Sequence, residues 1–375
     1  MSYAPGRDGG RDVYLDWNAT TPPLPAALEA MRDVAATAWA NPSSVHRSGR
    51  EARAVVERAR EAVAALMGVD PRDVVFTSGA TEANNLALRH APALVTSRLE
   101  HPSVVRVAEA LEAAGTPVRW VPVPGSGALE PDAVLAAAEG LPPGFVVALM
   151  AANHETGVLQ PVAAVADAVH ERGGRLHVDA VQVAGKVDPT LWQAGDTASV
   201  AAHKLRGPKG IGALALRTPG LPRPVLLGGA QERGLRPGTV DAVAVTGFAA
   251  AALHMMRGGP GRYAALALLR DRLEDAVRGE AEPNGAEPRL PHVANLSFAG
   301  WRGDELVAAL DLEGIRVASG SACSAGTVER SPVIEAMLGR PRAEAAIRVS
   351  LGETNTSSEI DDAISVLNRV TRIKS

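Results

Sequence analysis

A buried strand, a turn of small residues and the start of a helix follow one another at Phe76–Glu82 (FTSGATE). The pattern predicts that the helix begins near Thr81. Free backbone N–H groups at a helix start bind anions, typically phosphate, so Ala80 and Thr81 are candidate phosphate ligands. An ordinary helix N-cap at Thr81 gives the same pattern. The segment is neither a Walker loop nor a GxGxxG motif, and therefore does not indicate nucleotide binding.

Two charged residues stand where predicted buried strands end. Asp179 follows the strand Arg175–Val178, and open α/β sheets bind their ligands at that end. A buried carboxylate needs a cation or hydrogen-bond donors, which a protonated pyridine nitrogen or a helix start would supply. Lys204 follows the apolar strand Ser199–Ala202. A lysine in a partly dry pocket has a lowered pKa and can form a Schiff base, whereas Lys209 in the next turn fits an ordinary surface lysine.

Taken together, these residues are the set that binds pyridoxal 5'-phosphate (PLP). The turn at Phe76–Glu82 would bind the phosphate, Asp179 would pair with the pyridine nitrogen, and Lys204 would form the Schiff base. Their order along the chain is far more specific than any one of them. The sequence therefore predicts a PLP site.

The single cysteine, Cys323, lies in the small-residue segment Ser319–Gly326 (SGSACSAG). A structural cysteine is usually buried among apolar side chains. This one stands in a polar segment between a predicted strand and a predicted helix, where a reactive thiolate is expected. We therefore interpret Cys323 as a candidate nucleophile, with a bland core cysteine as the alternative.

The elements that must position these residues alternate between short β-branched segments and longer Ala/Leu/Arg/Glu-rich ones. This alternation predicts an α/β fold with a mainly parallel, seven-stranded sheet flanked by helices. The predicted strands are Val74–Thr77, Leu94–Ser97, Val118–Val121, Phe145–Ala151, Arg175–Val178, Ser199–Ala202 and Gly212–Leu216. The predicted helices between them are Ser48–Met67, Thr81–Arg89, Ser103–Ala114, Pro131–Glu139 and Val162–Arg172.

Composition changes at Arg257–Arg262 (RGGPGR), and a smaller α+β domain is expected beyond it. We predict a large PLP-binding domain over 13–257 and a small domain formed by 1–12 and 258–375, which carries the cysteine. The predicted elements of the small domain are Tyr263–Arg278, Gly303–Asp311, Ser331–Leu338 and Ser358–Arg372 as helices, with Val293–Phe298, Ile315–Ala318 and Ile347–Leu351 as strands.

Composition excludes several classes of protein. Lys and Arg (38) nearly balance Asp and Glu (42), and aromatic residues make up 3%, so direct nucleic-acid binding is not expected. One cysteine permits no intrachain disulfide. The His154-Glu155 pair lacks the second histidine of HExxH and the other histidines are scattered, so no metal is expected. The polar segment Met1–Arg11 and the short apolar run Phe145–Ala152 predict a cytoplasmic protein without membrane association.

These motifs resemble those of the cysteine desulfurases, PLP enzymes of fold type I and class V. The resemblance covers about nine tenths of the chain. It is carried by Tyr14–Pro22, Asn41–Ser44, Phe76–Glu82, Glu100-His101, Asn153–Gly157, His177–Gln182, His203–Gly210, Gly228–Thr239, Ser319–Cys323 and Ser350–Gly352.

The resemblance implies a role for each matching residue. Lys204 would be the Schiff-base lysine, Asp179 the partner of the pyridine nitrogen, and Cys323 the thiol that takes sulfur from L-cysteine and passes it to an acceptor protein. His101 would stack on the cofactor ring and act as an acid or base. The further implied ligands are Thr81 and His203 for the phosphate, Asn153 and Gln182 near the substrate carboxylate and the phenolic oxygen, Thr239 for the phosphate of the other subunit of a homodimer, and Arg348 and Asn41 for the substrate.

The chain departs from the family pattern at Ala201, where a serine usually binds the phosphate, and at Ala202, which is often glycine. Losing a charge-assisted hydrogen bond costs about 1.5–3 kcal/mol. We therefore expect this chain to hold PLP more weakly than a relative with serine at that position.

Three alternatives remain at this stage. A class V aminotransferase shares the Lys and Asp, but it needs no loop thiol and so leaves Cys323 unexplained. A selenocysteine lyase would use the same residues as a cysteine desulfurase. A sulfur-handling scaffold that has lost its cofactor would fit Ala201, but it leaves the intact Lys204, Asp179 and Arg348 without a purpose.

Overall fold

The computed structural model describes residues 12–218, 220, 222–320 and 330–372. The strands are β1 (Val13–Tyr14), β2 (Val74–Thr77), β3 (Leu94–Ser97), β4 (Val118–Val121), β5 (Val146–Met150), β6 (Arg175–Asp179), β7 (Thr197–Ala201), β8 (Gly212–Leu216), β9 (Ala281–Pro283), β10 (Val293–Phe298), β11 (Ile315–Arg316) and β12 (Ala346–Ser350).

The helices flank the sheets and connect their strands. They are α1 (Pro25–Thr37), α2 (Arg47–Met67), α3 (Ala80–Leu88), α4 (Pro102–Ala113), α5 (Pro131–Ala137), α6 (Val162–His170), α7 (Ala242–Met256), α8 (Gly259–Ala265), α9 (Ala267–Ala276), α10 (Gly303–Leu312), α11 (Pro332–Leu338), α12 (Arg340–Glu344) and α13 (Ser357–Arg372).

The central sheet has seven strands in the order β2-β8-β7-β6-β5-β3-β4. The strands β3 to β7 pair in parallel, and β8 runs antiparallel to both of its neighbours. Most residues of these strands are buried on both faces, as is typical of a sheet covered by helices on each side. The predicted α/β fold with a mainly parallel seven-stranded sheet is confirmed.

The sheet topology brings the ends of distant strands together. Because β3, β5, β6 and β7 are parallel, their carboxyl ends lie along one edge. The strand β2 has the same direction as β7, since both are antiparallel to β8. The loops that follow these strands therefore meet at a single edge of the sheet.

Two smaller sheets lie in the second half of the chain. One has the order β12-β10-β9, and the other pairs β1 with β11 in parallel. Asp16 forms an isolated bridge with Ser350, the last residue of β12. The segment that follows β1 thus runs from the smaller sheets into the edge of the large one. The predicted domain division near residue 257 stays a prediction.

The structure corrects the sequence analysis in a few elements. The single helix predicted over Tyr263–Arg278 is two short helices, α8 and α9, which meet at Leu266. The helices α1, α7 and α12 and the strands β1 and β9 were not predicted. The helix α7 is rich in buried alanine and packs against α1 and α2, so it lacks the polar face that marks most helices.

Within the residues that the structure describes, none of the helices has both the length and the apolar character needed to span a membrane.

Candidate active site

Lys204 lies directly beyond the carboxyl end of β7, in a short 3-10 turn over Ala202–Lys204. Its side chain is partly buried, and Nζ donates hydrogen bonds to the carbonyl oxygens of Asn18 (2.5 Å) and Ala19 (2.9 Å). The segment after β1 therefore fixes the position of the amine at the edge of the sheet.

Asp179 is the last residue of β6 and is buried. Both of its carboxylate oxygens accept hydrogen bonds: Oδ1 from the backbone N–H of Val181 (3.0 Å) and Oδ2 from Nδ2 of Asn84 (2.9 Å). A carboxylate with both oxygens bonded in this way is held in one orientation. It can face a cation without a change of conformation.

His101 caps the N-terminus of α4, and its Nδ1 lies 3.1 Å from the backbone nitrogen of Ser103 and 2.8 Å from the Ser103 hydroxyl. Its ring lies edge-on to that of His154, with 5.5 Å between centroids. Burial lowers the pKa of His101, while the carboxylate of Asp179 acts to raise it and the charge of Lys204 to lower it. His101 therefore belongs to one electrostatic unit with the other two residues.

Arg348 lies in the middle of β12 and is fully buried. Its Nη2 pairs with Oδ1 of Asp16 (2.7 Å), and its Nη1 donates to the carbonyl oxygen of His154 (3.0 Å). Its Nε is buried without a hydrogen-bond partner among the described residues. A guanidinium held on one side with a free donor on the other is suited to a carboxylate ligand.

The start of α3 follows β2 by a tight turn at Ser78 and Gly79. Glu82 in the first turn of the helix accepts a hydrogen bond from the backbone N–H of Ser78 (2.7 Å). The helix has no side-chain cap, and a Cβ on Gly79 would meet only open space. Ala80 and Thr81 therefore lie at an open helix N-terminus, as a phosphate site requires.

Gln182 is buried behind this edge, and its Nε2 donates to the carbonyl oxygen of Asn18 (3.1 Å), which also accepts from Lys204. The Gln182 Oε1 has no partner in the described part of the chain. His203, the neighbour of Lys204, contacts the hydroxyl of Thr20 through Nδ1 (3.1 Å). Burial and nearby lysine charges lower the pKa of His203 to about 4.

Asn153 follows β5, and its amide is bonded to its own loop and to the loop after β3. Its Oδ1 accepts from the backbone N–H groups of Glu155 and Thr156 (both 2.9 Å), and its Nδ2 donates to the Leu99 carbonyl (3.0 Å). The side chain is completely buried. The geometry gives Asn153 a loop-shaping role, and its implied contact with the substrate stays a prediction.

Two predicted ligands lie on the surface. Asn41 is exposed, and its Oδ1 accepts from the backbone of Ser43 (2.9 Å). Thr239 is exposed in the loop before α7, close in sequence to Arg236, which contacts Glu82 of α3 (3.1 Å). The roles proposed for both stay predictions.

Cys323 lies outside the described residues, but the chain on either side of it is described. Ala318 exchanges two backbone hydrogen bonds with Arg348. At the other end, the Ser331 hydroxyl contacts the buried carboxylate of Glu155 (2.5 Å). The described chain before Cys323 therefore contacts the backbone of Arg348, and the described chain after it contacts Glu155.

These residues fit PLP. The cofactor has an aldehyde, a ring nitrogen and a phosphate, and the edge of the sheet offers it the amine of Lys204, the fixed carboxylate of Asp179 and the open start of α3. The buried Oε1 of Gln182, which lacks a partner among the described residues, adds one further polar contact.

Sequence analysis missed several residues that hold the site together. Asn18 and Asp16 were part of the quoted motif Tyr14–Pro22, but no role was inferred for them. Asn84 and Ser103 gave only one signal, a polar residue among the apolar positions of a helix. Lys186 was also missed: it is fully buried, with Nζ 5.4 Å from the ring centroid of Tyr263, and burial lowers its pKa to about 7.

Comparison with known proteins gives a consistent result. The family model "Aminotransferase class-V" matches residues 13–362. The chain is 39% identical over 374 residues to an IscS-like cysteine desulfurase of Mycobacterium tuberculosis, covering 95% of each chain. It is 41% identical over 370 residues to a cysteine desulfurase of Cereibacter sphaeroides, covering 95% of this chain and 94% of that one. A solved structure described as a NifS-like protein superposes with a TM-score of 0.87 at 33% identity, covering 96% of this chain and all of the other.

Proposed function

We propose that this chain, which belongs to the aminotransferase class-V family and within it to the cysteine desulfurases, converts L-cysteine to L-alanine and passes the sulfur on. Its relatives with that name match it over nearly their whole length. The observation that carries the proposal for the site is that Lys204, Asp179 and the open start of α3 meet at one edge of the sheet.

PLP, when bound, supplies a ring that withdraws electrons from the amino acid attached to it. The carboxylate of Asp179 favours the protonated, more strongly withdrawing form of that ring. Lys204 would hold the cofactor through Nζ, and the same amine is placed to take the proton from the substrate Cα. The carbonyl oxygens of Asn18 and Ala19, which accept from Nζ, keep the amine at that place.

Arg348 binds the substrate carboxylate through its guanidinium, with Asp16 holding the opposite side of the group. This interaction fixes the direction of the substrate side chain relative to Lys204. His101 is partly buried, and its ring lies edge-on to that of His154. It is placed to form a hydrogen bond to the substrate or cofactor.

Cys323 takes the sulfur. Its thiolate attacks the sulfur of the substrate, the carbon–sulfur bond breaks, and the carbon takes up a proton, so that the products are L-alanine and a Cys323 persulfide. The described chain on both sides of Cys323 touches site residues, Arg348 at one end and Glu155 at the other. An acceptor protein would then remove the outer sulfur atom.

A homodimer is part of the proposal. The exposed Thr239 would reach the phosphate of the second subunit rather than that of its own. The exposed apolar side chains of Leu226 and Leu227, which precede the same loop, support contact with another chain.

The test uses purified protein and L-cysteine, without a keto acid. We expect a visible absorption band of bound PLP, formation of alanine, and a mass gain of one sulfur atom on the protein, which the single cysteine assigns to Cys323. Cys323→Ala should keep the band and lose the mass gain, whereas Lys204→Ala should lose the band. Lys209→Ala, at an exposed lysine of the same turn, is the matched control and should behave as wild type.

The same experiment separates the alternatives. Alanine formation only when pyruvate is added as the keto acid would identify an aminotransferase, and a strong preference for selenocysteine over cysteine would identify a lyase for that amino acid. Protein without the absorption band after incubation with PLP would identify a scaffold. Each of these results would overturn the proposal.

A further inference from the structure

We propose that Asn84 is a positioning residue that joins Asp179 and His101 into one rigid unit and fixes the tautomer of His101. This inference rests on the proposed function for its consequence in catalysis. The geometry that carries it involves only residues of this chain.

Asn84 lies on the buried face of α3, and its side chain has no exposed surface. Its Nδ2 lies 2.9 Å from Oδ2 of Asp179 and 2.8 Å from the hydroxyl oxygen of Ser103. Its Oδ1 lies 2.9 Å from Nε2 of His177. Both amide hydrogens and the amide oxygen therefore have partners, which lie on two other elements: Asp179 and His177 on β6, and Ser103 on α4.

The identity of these partners fixes the direction of every hydrogen bond. An ionised carboxylate only accepts, so the NH₂ group of Asn84 must face Asp179. The Oδ1 of Asn84 then faces His177, whose Nε2 must carry the hydrogen. The other ring nitrogen of His177, Nδ1, lies 2.8 Å from the hydroxyl of Thr197, from which it accepts. Burial lowers the pKa of His177 to about 4, so the ring is neutral near neutral pH, as this arrangement needs.

The directions of the hydrogen bonds from Asn84 through Ser103 to His101 are fixed in the same way. Because the Ser103 oxygen accepts from Asn84, its own hydrogen is available for Nδ1 of His101, 2.8 Å away. The backbone N–H of Ser103 also points at that nitrogen (3.1 Å). Two donors aimed at Nδ1 leave it no place for a proton, so neutral His101 carries its hydrogen on Nε2. His101 therefore presents an N–H donor to the site rather than a base.

The sequence position of Asn84 supports a specific role. A buried amide inside a helix is unfavourable unless all of its polar groups are bonded, and alanine or leucine would be the better helix residue there. Its neighbours on the same buried face, Ala83 and Leu86, are apolar. The full set of bonds made by Asn84 offsets that cost and ties α3 to α4 and to the edge of the sheet.

The experiment compares wild type with Asn84→Ala and Ser103→Ala, with Asn85→Ala as the matched control. Asn85 is the next residue of α3, and its amide donates to the Thr81 carbonyl of its own helix. The tautomers of His101 and His177 are read by NMR of nitrogen-labelled histidine in cofactor-free protein, and the dissociation constant of PLP is measured by titration of its absorption band.

We expect both histidines to carry hydrogen on Nε2 in wild type and in Asn85→Ala. Ser103→Ala removes one of the two donors to Nδ1 and keeps the backbone N–H, so it should raise the share of the Nδ1–H tautomer of His101 and leave the tautomer of His177 unchanged. Asn84→Ala should raise that share as well, because the Ser103 hydroxyl is no longer held toward Nδ1. It should also weaken PLP binding about tenfold to a hundredfold, because Asp179 loses a charge-assisted hydrogen bond.

Wild-type His101 with hydrogen on Nδ1, or an unchanged dissociation constant for Asn84→Ala, would overturn the inference. Should Asn84→Ala fail to fold, an unchanged tautomer ratio of His101 in Ser103→Ala overturns it, and a larger share of the Nδ1–H form supports it. A wild-type protein that binds no PLP would refute the proposed function, and the tautomer measurement would still decide the arrangement of Asn84, Ser103 and His101.

Discussion

The two walls of the site differ in how completely their polar atoms are bonded. On the wall formed by the ends of β6 and α3, the side-chain polar atoms of Asp179, Asn84 and His177 all have partners. On the wall that faces β12, Nε of Arg348 and both ring nitrogens of His154 are buried without a hydrogen-bond partner among the described residues. The three side chains of the first wall are therefore fully bonded, whereas Arg348 and His154 on the second keep polar atoms without a hydrogen-bond partner in the described part of the chain.

The difference matters because an unpaired buried polar atom costs about 1–3 kcal/mol, and a ligand that satisfies it recovers that free energy. The unpaired wall is therefore the place where substrate gains most from binding. The paired wall gains little from substrate but holds Asp179 in a single orientation. The site thus combines a fixed support for the cofactor with a receptive surface for the amino acid.

The largest effect is expected on the unpaired wall. Arg348→Lys keeps the charge but loses the planar fork, so that one amine replaces several aligned N–H donors. We expect kcat/KM for L-cysteine to fall about a hundredfold, mainly through a higher KM. Steady-state kinetics of alanine formation measures this.

Arg316→Lys is the matched control, since Arg316 is exposed on β11 and pairs with Asp12 (2.8 Å). It should leave both kinetic constants unchanged. An Arg348→Lys protein with a wild-type KM would show that the guanidinium does not bind the substrate carboxylate.

A smaller effect is expected on the paired wall, and it concerns pH. The pKa of His177 is lowered to about 4 in the folded chain, against about 6.5 when unfolded, because burial opposes its charge. The unfolded chain therefore binds the extra proton first, and stability falls as the pH decreases through this window. From about pH 7 to about pH 5, this one residue should lower the free energy of unfolding by about 2 kcal/mol.

Denaturant unfolding of cofactor-free wild type and His177→Gln at the two pH values checks this. The variant, which cannot titrate there, should lose about 2 kcal/mol less of its unfolding free energy on acidification. His90→Gln, at an exposed histidine, should lose as much as wild type. Equal losses in all three proteins would show that His177 is not held neutral.

The smallest effect is expected on PLP binding at the candidate phosphate site, the turn at Ser78 and Gly79 before α3. Ala201 ends β7 and pairs with Gly212. A Cβ added to Gly212 would lie 2.7 Å from Cα of Gly79, so Gly212 is close to the turn before α3. The end of β7 thus lies close beneath the start of α3. Ala201→Ser should lower the dissociation constant of PLP about tenfold, because the hydroxyl adds a hydrogen bond to a charged phosphate. Equilibrium titration measures it, and Ala201→Gly, which adds no hydroxyl, should give no tightening.

Much of the fold could be predicted because it depends on local patterns. Each strand of the central sheet is a short apolar run such as Val74–Thr77, bounded by turn residues, and buried parallel strands have this composition. The helix α7 escaped prediction because its alanines give it no polar face. The pairing of β1 with β11 could not be predicted either, since two-residue strands have no pattern and their partners lie far apart along the chain.

The same distinction applies to the site. The positions of Lys204 and Asp179 could be predicted because each lies at the carboxyl end of an apolar strand. Many α/β proteins bind their ligands at that end of the sheet. The residues that hold them could not, because the partners are remote: Asn18 and Lys204 are 186 positions apart, and Asn84 and Asp179 are 95 apart. Only the folded chain brings these pairs within hydrogen-bond distance.

The stretch that follows β1 has a practical consequence for engineering. Its Asp16 holds the guanidinium of Arg348, and its Asn18 accepts from Lys204 and Gln182. A shortened version beginning after Thr20 would retain every side chain with an assigned chemical task, and it would still lose the contacts that hold three of them, Arg348, Lys204 and Gln182. Fusion tags and truncations are therefore best designed to leave the segment that follows β1 intact.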